Sequence, residues 1–176
     1  MSAIINGDSP SITFSDATTQ ATSAVVSGKV PYSILPTGSV LQVVNATYST
    51  QVTNATNSYV DTGLTATITP KFATSKILVI VTQQGVNKNE GNAANQVNIK
   101  LLRGATDLGN TVYVWGYMNS AIKLTGNATF QYMDSPATTS STTYKTQFNN
   151  GANASLATVQ LDSAVASTII LMEIAG

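Results

Sequence analysis

Acid–base chemistry near neutral pH rests on histidine or on carboxylates tuned by a close partner. This chain of 176 residues contains no histidine and no cysteine, which leaves eight carboxylates. Asp8, Asp16, Asp61, Asp107, Asp134, Asp162, Glu90 and Glu173 fall singly in turns and at strand ends, no two at a suggestive spacing. The same scatter argues against a dedicated metal site, because zinc takes His or Cys and calcium loops cluster their acids. No catalytic residue, metal ligand or cofactor is assigned, and an enzyme is not expected.

Three other patterns carry some chemical meaning. Ser120-Ala121-Ile122-Lys123 has the serine–lysine spacing of penicillin-recognising enzymes, but the companion Ser-Asp-Asn and Lys-Thr-Gly motifs are missing. Ser120 reads as a turn residue and Lys123 as an exposed strand position. Asn45, Asn54, Asn127 and Asn153 open sequons that a chain rich in Asn, Ala, Thr and Ser generates by composition, so glycosylation is discounted. Tyr113, Trp115 and Tyr117 alternate along one strand and would share a face. That stripe is either a platform for stacking a host-surface glycan or a core or interface stripe with its polar edges outward.

The surrounding composition is unusual for what it lacks. Apolar residues make up 43% of the chain, but charged ones only 9%, against about 25% in average domains. Seven lysines and one arginine are scattered and balanced by the eight acids, so no basic patch marks a nucleic-acid partner. Net charge away from zero keeps diffusing proteins apart, so a neutral surface fits a protein held in a fixed assembly. The N-terminus shows no basic, apolar signal pattern. The longest apolar run, Ile77 to Val81, is far short of the roughly 20 residues that span a bilayer, so no membrane insertion is expected.

The elements follow from periodicity. Residues 1–36 are rich in small polar residues, with apolar points at Ile12, Phe14, Ile34 and Leu35. They read as an extended arm that anchors on a partner through those four, or as a disordered tail. From residue 37 to 176, strand signals recur at regular spacing: 40–48, 64–69, 76–84, 96–101, 112–118, 122–132, 144–148, 156–161 and 167–174. A polar loop is expected over 84–95, and a bulge or turn at Gly126-Asn127. No window shows helical periodicity. About eight strands in one domain predict an all-β, jelly-roll-like sandwich. Segments 77–81 and 169–172 are apolar on both faces, which places them at sheet centres or in a subunit contact, the two being compatible in a homotrimer.

Several stretches together resemble small virion proteins of tailed bacteriophages, many from cyanobacterial and marine phages. They are Leu35-Pro36-Thr37-Gly38-Ser39-Val40-Leu41-Gln42-Val43-Val44, Tyr59 to Pro70, Ser75-Lys76-Ile77-Leu78-Val79, Met133 to Ser140 and Ser167 to Ile174. Upstream, Ile12 to Gln20 is similar to a segment frequent in phage fibre-like proteins. The ordered set spans most of the chain from Leu35 to Ala175, with a variable middle between about 85 and 130. The resemblance implies a β-sandwich structural module on the virion, commonly trimeric, attached by a short N-terminal segment to other virion proteins. It transfers no catalytic residue. The expectation is a trimeric fibre or knob that takes part in host attachment, with capsid decoration or carbohydrate binding as the alternatives.

Overall fold

Alternation between apolar and polar side chains builds this chain into strands that bury one face each. The computed structural model describes residues 4–6, 11–13, 19–21, 30–90, 95–120, 122–151 and 155–176. Three short strands come first, β1 (Ile4–Asn6), β2 (Ser11–Thr13) and β3 (Thr19–Ala21), paired antiparallel in the order β1-β2-β3. The head follows with β4 (Val40–Tyr48), β5 (Val52–Asn54), β6 (Val60–Ile68), β7 (Lys76–Lys88) and β8 (Asn95–Arg103). It continues with β9 (Thr106–Met118), β10 (Leu124–Asp134), β11 (Thr142–Asn150), β12 (Ala157–Val159) and β13 (Ser167–Ile174).

Two antiparallel sheets face each other as a β-sandwich. The first runs β4-β13-β7, with β10 on the other edge of β7 and the short β12 and β5 continuing beyond the end of β13. The second runs β6-β11-β8-β9. Between β4 and β13 the chain passes back and forth between the sheets, and only β8 and β9 are sequential neighbours in one of them. The all-β sandwich expected from the strand spacing is therefore the architecture found.

The core has two apolar clusters. Leu64, Ala66, Ile68, Ile77, Val79, Val81, Leu101, Tyr144, Ile169 and Leu171 form one; Val86, Val97, Ile99, Ala128, Phe148, Ala157 and Val159 form the other. Ile77–Val81 and Ile169–Leu171 pair directly in register, Ile170 opposite Ile80. Their inward residues supply much of the first cluster.

Several boundaries differ from the sequence reading. Strand β7 continues four residues past Gln84, because Val86 is buried and the backbone pairs with both β10 and β12, so the first part of the expected polar loop is strand. The expected break in β10 is present as a register shift between Gly126 and Ala128. A second irregularity was not foreseen. From Lys145 to Gln147 β11 takes two residue steps, while the facing strand β6 takes four, from Thr65 to Asp61. Gly63, with φ +85, makes that bulge, a backbone conformation most side chains disfavour.

The registers also define two ends. At one lie the start of β4, the β6–β7 turn, the β8–β9 turn and the end of β13; Gly38 N–H donates to Ala175 O, and Ala175 N–H to Ser39 O. This is where the N-terminal segment joins the head. At the other end lie residues 49–59, the end of β7 and start of β8, the end of β9 and start of β10, and residues 155–166.

Candidate functional site

Strand β9 carries the aromatic residues singled out in the sequence. Its register against β8 shifts three times, once between Lys100 and Leu102 and twice at the aromatic residues: there Ile99 and Val97 of β8 face Val112 and Trp115, and Val97 and Asn95 face Trp115 and Met118. Two residues of β8 thus face three of β9 in each step, the second step holding Gly116 at φ +66. Val112 and Trp115 both pack on the second core cluster. The Trp115 ring lies against Gly126, and its indole N–H donates to Asn127 O at 3.2 Å. Tyr117, past the second bulge, is 51% exposed near the loop end. The side chain of Tyr113 lies outside the described residues. Trp115 is thus fixed as a half-buried packing residue, and the three aromatics do not follow from simple alternation as one flat platform.

The anchoring residues of the N-terminal segment divide in a similar way. Phe14 and the side chain of Ile12, a β2 residue, lie outside the described residues. Ile34 sits in a short 3-10 turn, Tyr32–Ile34, and is exposed. Leu35 lines a shallow cavity of about 210 Å³ with Tyr32, Ser33, Phe72, Thr74 and the C-terminal Ala175 and Gly176. The Lys71 ammonium stands 5.6 Å from the centre of the Tyr32 ring. Residues 30–36, read from the sequence as the end of an extended arm, lie against the head through Leu35, and the described residues before them are the short strands β1–β3.

Two ionic clusters hold the arm end. Arg103 of β8 donates from Nη1 to both Asp134 carboxylate oxygens, at 2.9 and 2.7 Å, and the buried Tyr144 phenol donates to the same carboxylate at 2.6 Å. Asp134 belongs to the first sheet and its two partners to the second, so the cluster ties the layers together. Glu173 is fully buried and accepts from Gln42 Nε2 at 2.5 Å and from the Lys71 N–H at 2.6 Å, which fixes the β6–β7 turn. At the loop end, Lys88 is enclosed, and its burial lowers the pKa of its ammonium. Ser120 and Lys123 are both exposed in the β9–β10 connection. Among the described residues no group of three acidic or metal-binding side chains converges.

The outer faces of the two sheets contrast sharply. The second sheet is polar: Asp61 pairs with Lys145 at 2.9 Å and accepts from Gln147, Lys100 pairs with Asp107 at 3.0 Å, and Thr67 shares a hydrogen bond with Thr143. A shallow cavity of about 190 Å³ opens beside Asp61, Gly63 and Lys145. On the first sheet, the registers of β4, β13, β7 and β10 set three complete rows across the outer face. Val43, Met172, Leu78 and Met133 make one row; Asn45, Ile170, Ile80 and Gln131 the next; Thr47, Thr168, Thr82 and Thr129 the third. A shorter row, Val40, Ile174 and Lys76, closes the arm end and holds the one charge among these positions. The sequence pointed to 77–81 and 169–172 as doubly apolar. It did not reveal that Val40, Val43 and Met133 extend the same surface, because each is a single apolar residue within an ordinary alternating strand.

No family model matches the sequence, and no curated protein does. Among solved structures, a chain from the work described as "Bacillus endospore appendages form a novel family of disulfide-linked pili" is 13% identical. The match covers 81% of this chain and 98% of that one, at a TM-score of 0.32, and at that value it carries no conclusion about fold or function.

Proposed function

We propose that this chain is a non-enzymatic structural protein of the virion surface of a tailed bacteriophage, a homotrimeric knob or small fibre attached through its N-terminal segment and engaged in host attachment. The phage and virion part of this reading comes from the sequence resemblance. The observation that carries the attachment part is the polarity of the head. The N-terminal segment joins at one end, beside the C-terminus, while the strand ends that flank the β7–β8 and β9–β10 connections, both within the variable middle, lie at the other. A module held at one end and variable in the loops of the opposite end is suited to recognition. Exposed Tyr117 stands near those loops, where a sugar ring could stack on it.

The finer fold belongs to the same reading. We take the head as a jelly roll, supported by the interleaved orders β4-β13-β7-β10 and β6-β11-β8-β9, in which the eight long head strands alternate between the sheets except at the β8–β9 hairpin. Capsid decoration is the competing role, and localisation on intact particles separates the two. A label inserted in residues 89–94 suits electron microscopy better than one at the C-terminus, which lies beside the attachment end. Labels on the tail support host attachment, and labels on the head support decoration. Absence of the chain from purified particles overturns both.

A further inference from the structure

We propose that the outer face of the first sheet, centred on the row Val43, Met172, Leu78 and Met133, is the surface through which copies of this chain meet. This inference rests on the homotrimer reading above and names the contact that reading requires. Sheets that face water on one side normally alternate buried and polar residues. The second sheet obeys that rule, and the first does not. On its edge strands Val40, Val43 and Met133 are 52%, 53% and 46% exposed.

The occupant follows from shape and charge. The three full rows span four strands about 4.8 Å apart and about 14 Å along the strands, a flat extent near 200 Å² before side-chain relief and the flanking rows are added. The face joins an apolar part, the Val43 row with Ile170, Ile80, Val40 and Ile174, to amide and threonine positions that carry no charge. It supplies a substantial part of the roughly 800 Å² that each partner contributes to a standard interface. The described strands of the N-terminal segment, β1–β3, are only three residues long each and on the same measure span about 65 Å², about a third of the four-strand face. A second copy covers all of it. The patch is also self-compatible: its one charge, Lys76, sits at the margin, so two such faces meet without opposing like charges. Turned toward a threefold axis, three copies bury it together, and the charged second sheet remains outside.

The test uses the full chain and two measurements, mass by sedimentation equilibrium and peroxide oxidation of Met133 and Met172 followed by peptide mass spectrometry. The wild type is expected to be a trimer with both methionines slow to oxidise. Val40→Glu/Val43→Glu changes two exposed positions, so the circular dichroism and unfolding midpoint should stay close to wild type. Its assembly midpoint should rise by about a hundredfold or more, roughly ten for each carboxylate forced unpaired into the contact, and Met133 should oxidise several-fold faster. Thr65→Glu, on the other sheet, should change neither. A wild-type trimer that the double variant leaves intact overturns the face and spares the trimer. A wild-type dimer that the variant dissociates overturns the trimer and supports the face. A monomeric wild type overturns both, and protected methionines in that monomer would assign the face to residues 1–29.

Discussion

Thr146 Oγ1 of β11 donates to Gln83 Oε1 of β7 at 3.1 Å, a side-chain hydrogen bond that crosses the sandwich between two fully buried residues. Because the Thr146 proton is committed to Gln83, the 2.6 Å contact between Thr62 Oγ1 and Thr146 Oγ1 must have Thr62 as its donor. The Leu64 N–H in turn donates to Thr62 Oγ1. On the other side, Gln83 Nε2 and Gln160 Nε2 both reach Ser167 Oγ at 2.8 Å. This polar layer connects strands of both sheets and lies among the two apolar clusters. Gln160 Oε1 has no partner within it; the bonds that are made fix one arrangement of the layers, since a slip would strand further polar groups in a low-dielectric interior.

Removing one member should therefore cost more than the bond itself is worth. Thr146→Val keeps the shape but leaves Gln83 Oε1 without its donor, while Thr62 Oγ1 falls back on its longer bond to Thr146 O at 3.3 Å. The expected loss is about 1–3 kcal/mol, measured by urea unfolding with Trp115 fluorescence. Gln83→Leu combined with Thr146→Val should lose less than the sum of the single changes, and strict additivity would show that the two do not form one unit.

The cluster at the arm end carries a pH signature. Burial, and then the hydrogen bond and negative charge of Asp134, push the Tyr144 phenol far above its ordinary value of 10.0, with Arg103 opposing. The unfolded chain thus gives up this proton near pH 10 while the folded chain keeps it. The contribution is complete below about pH 10 and falls as pH rises further, because there the native state binds more protons than the unfolded one. Tyr144→Phe should lower stability at neutral pH by about 1.5–3 kcal/mol, the value of a hydrogen bond to a charged group. Its deficit relative to wild type should shrink above pH 10. A constant deficit across an alkaline unfolding series would contradict the assignment.

The sandwich was largely legible because alternation is a local signal: β4, β8 and β13 lie close to where the pattern of apolar residues places them. What escaped was non-local. The end of β7 reads as a polar loop, since Gln83, Gln84, Asn87 and Lys88 give no hydrophobic signal, yet pairing with β10 and β12 makes it a strand. The aromatic positions on β9 misled for a related reason. A period of two assumes no bulges, and the two that displace Trp115 and Tyr117 are set by the register against β8. Arg103, Asp134 and Tyr144 are separated by many residues and meet only because three strand positions coincide at one end of the fold. The outer apolar face was half visible, in its two central strands and not in its edges.

The bulge at Gly63 makes a sharp demand on sequence. A Cβ built there would lie 2.1 Å from Tyr48 Cε1, on a residue at φ +85, so both the backbone and the neighbouring ring resist a side chain. Gly63→Ala should destabilise by about 2–4 kcal/mol, from left-handed strain plus overpacking. Adding Tyr48→Ala to that variant relieves the clash but not the strain. Relative to Tyr48→Ala alone, the glycine substitution should then cost only about 1 kcal/mol. An unchanged cost would place the whole penalty in the backbone.

Glu173 gives the last test, because it joins the chain's final strand to a turn about a hundred residues earlier. Its carboxylate accepts the Lys71 N–H at 2.6 Å and the Phe72 N–H at 3.4 Å, while Gln42 bridges from the same carboxylate to Thr69 O at 2.7 Å. The apolar anchors of the β6–β7 turn are buried Pro70 and half-buried Phe72, whose side chain lines the cavity shared with Leu35 and Ala175. Glu173→Ala removes the acceptor and leaves two turn amides and an amide side chain to find water. The expected global loss is about 1.5–3 kcal/mol. Amide exchange discriminates more finely. The Lys71 N–H should lose its protection in the variant, while Val79 and Val81, central in the paired core of β7, should retain protection set by global unfolding. Because Leu35 and the C-terminus pack on the same turn, loosening it should also raise proteolysis between residues 29 and 39, where the N-terminal segment joins the head. Protection at Lys71 that survives the substitution would mean the turn is held by its own backbone, and Glu173 would then be a passenger in it.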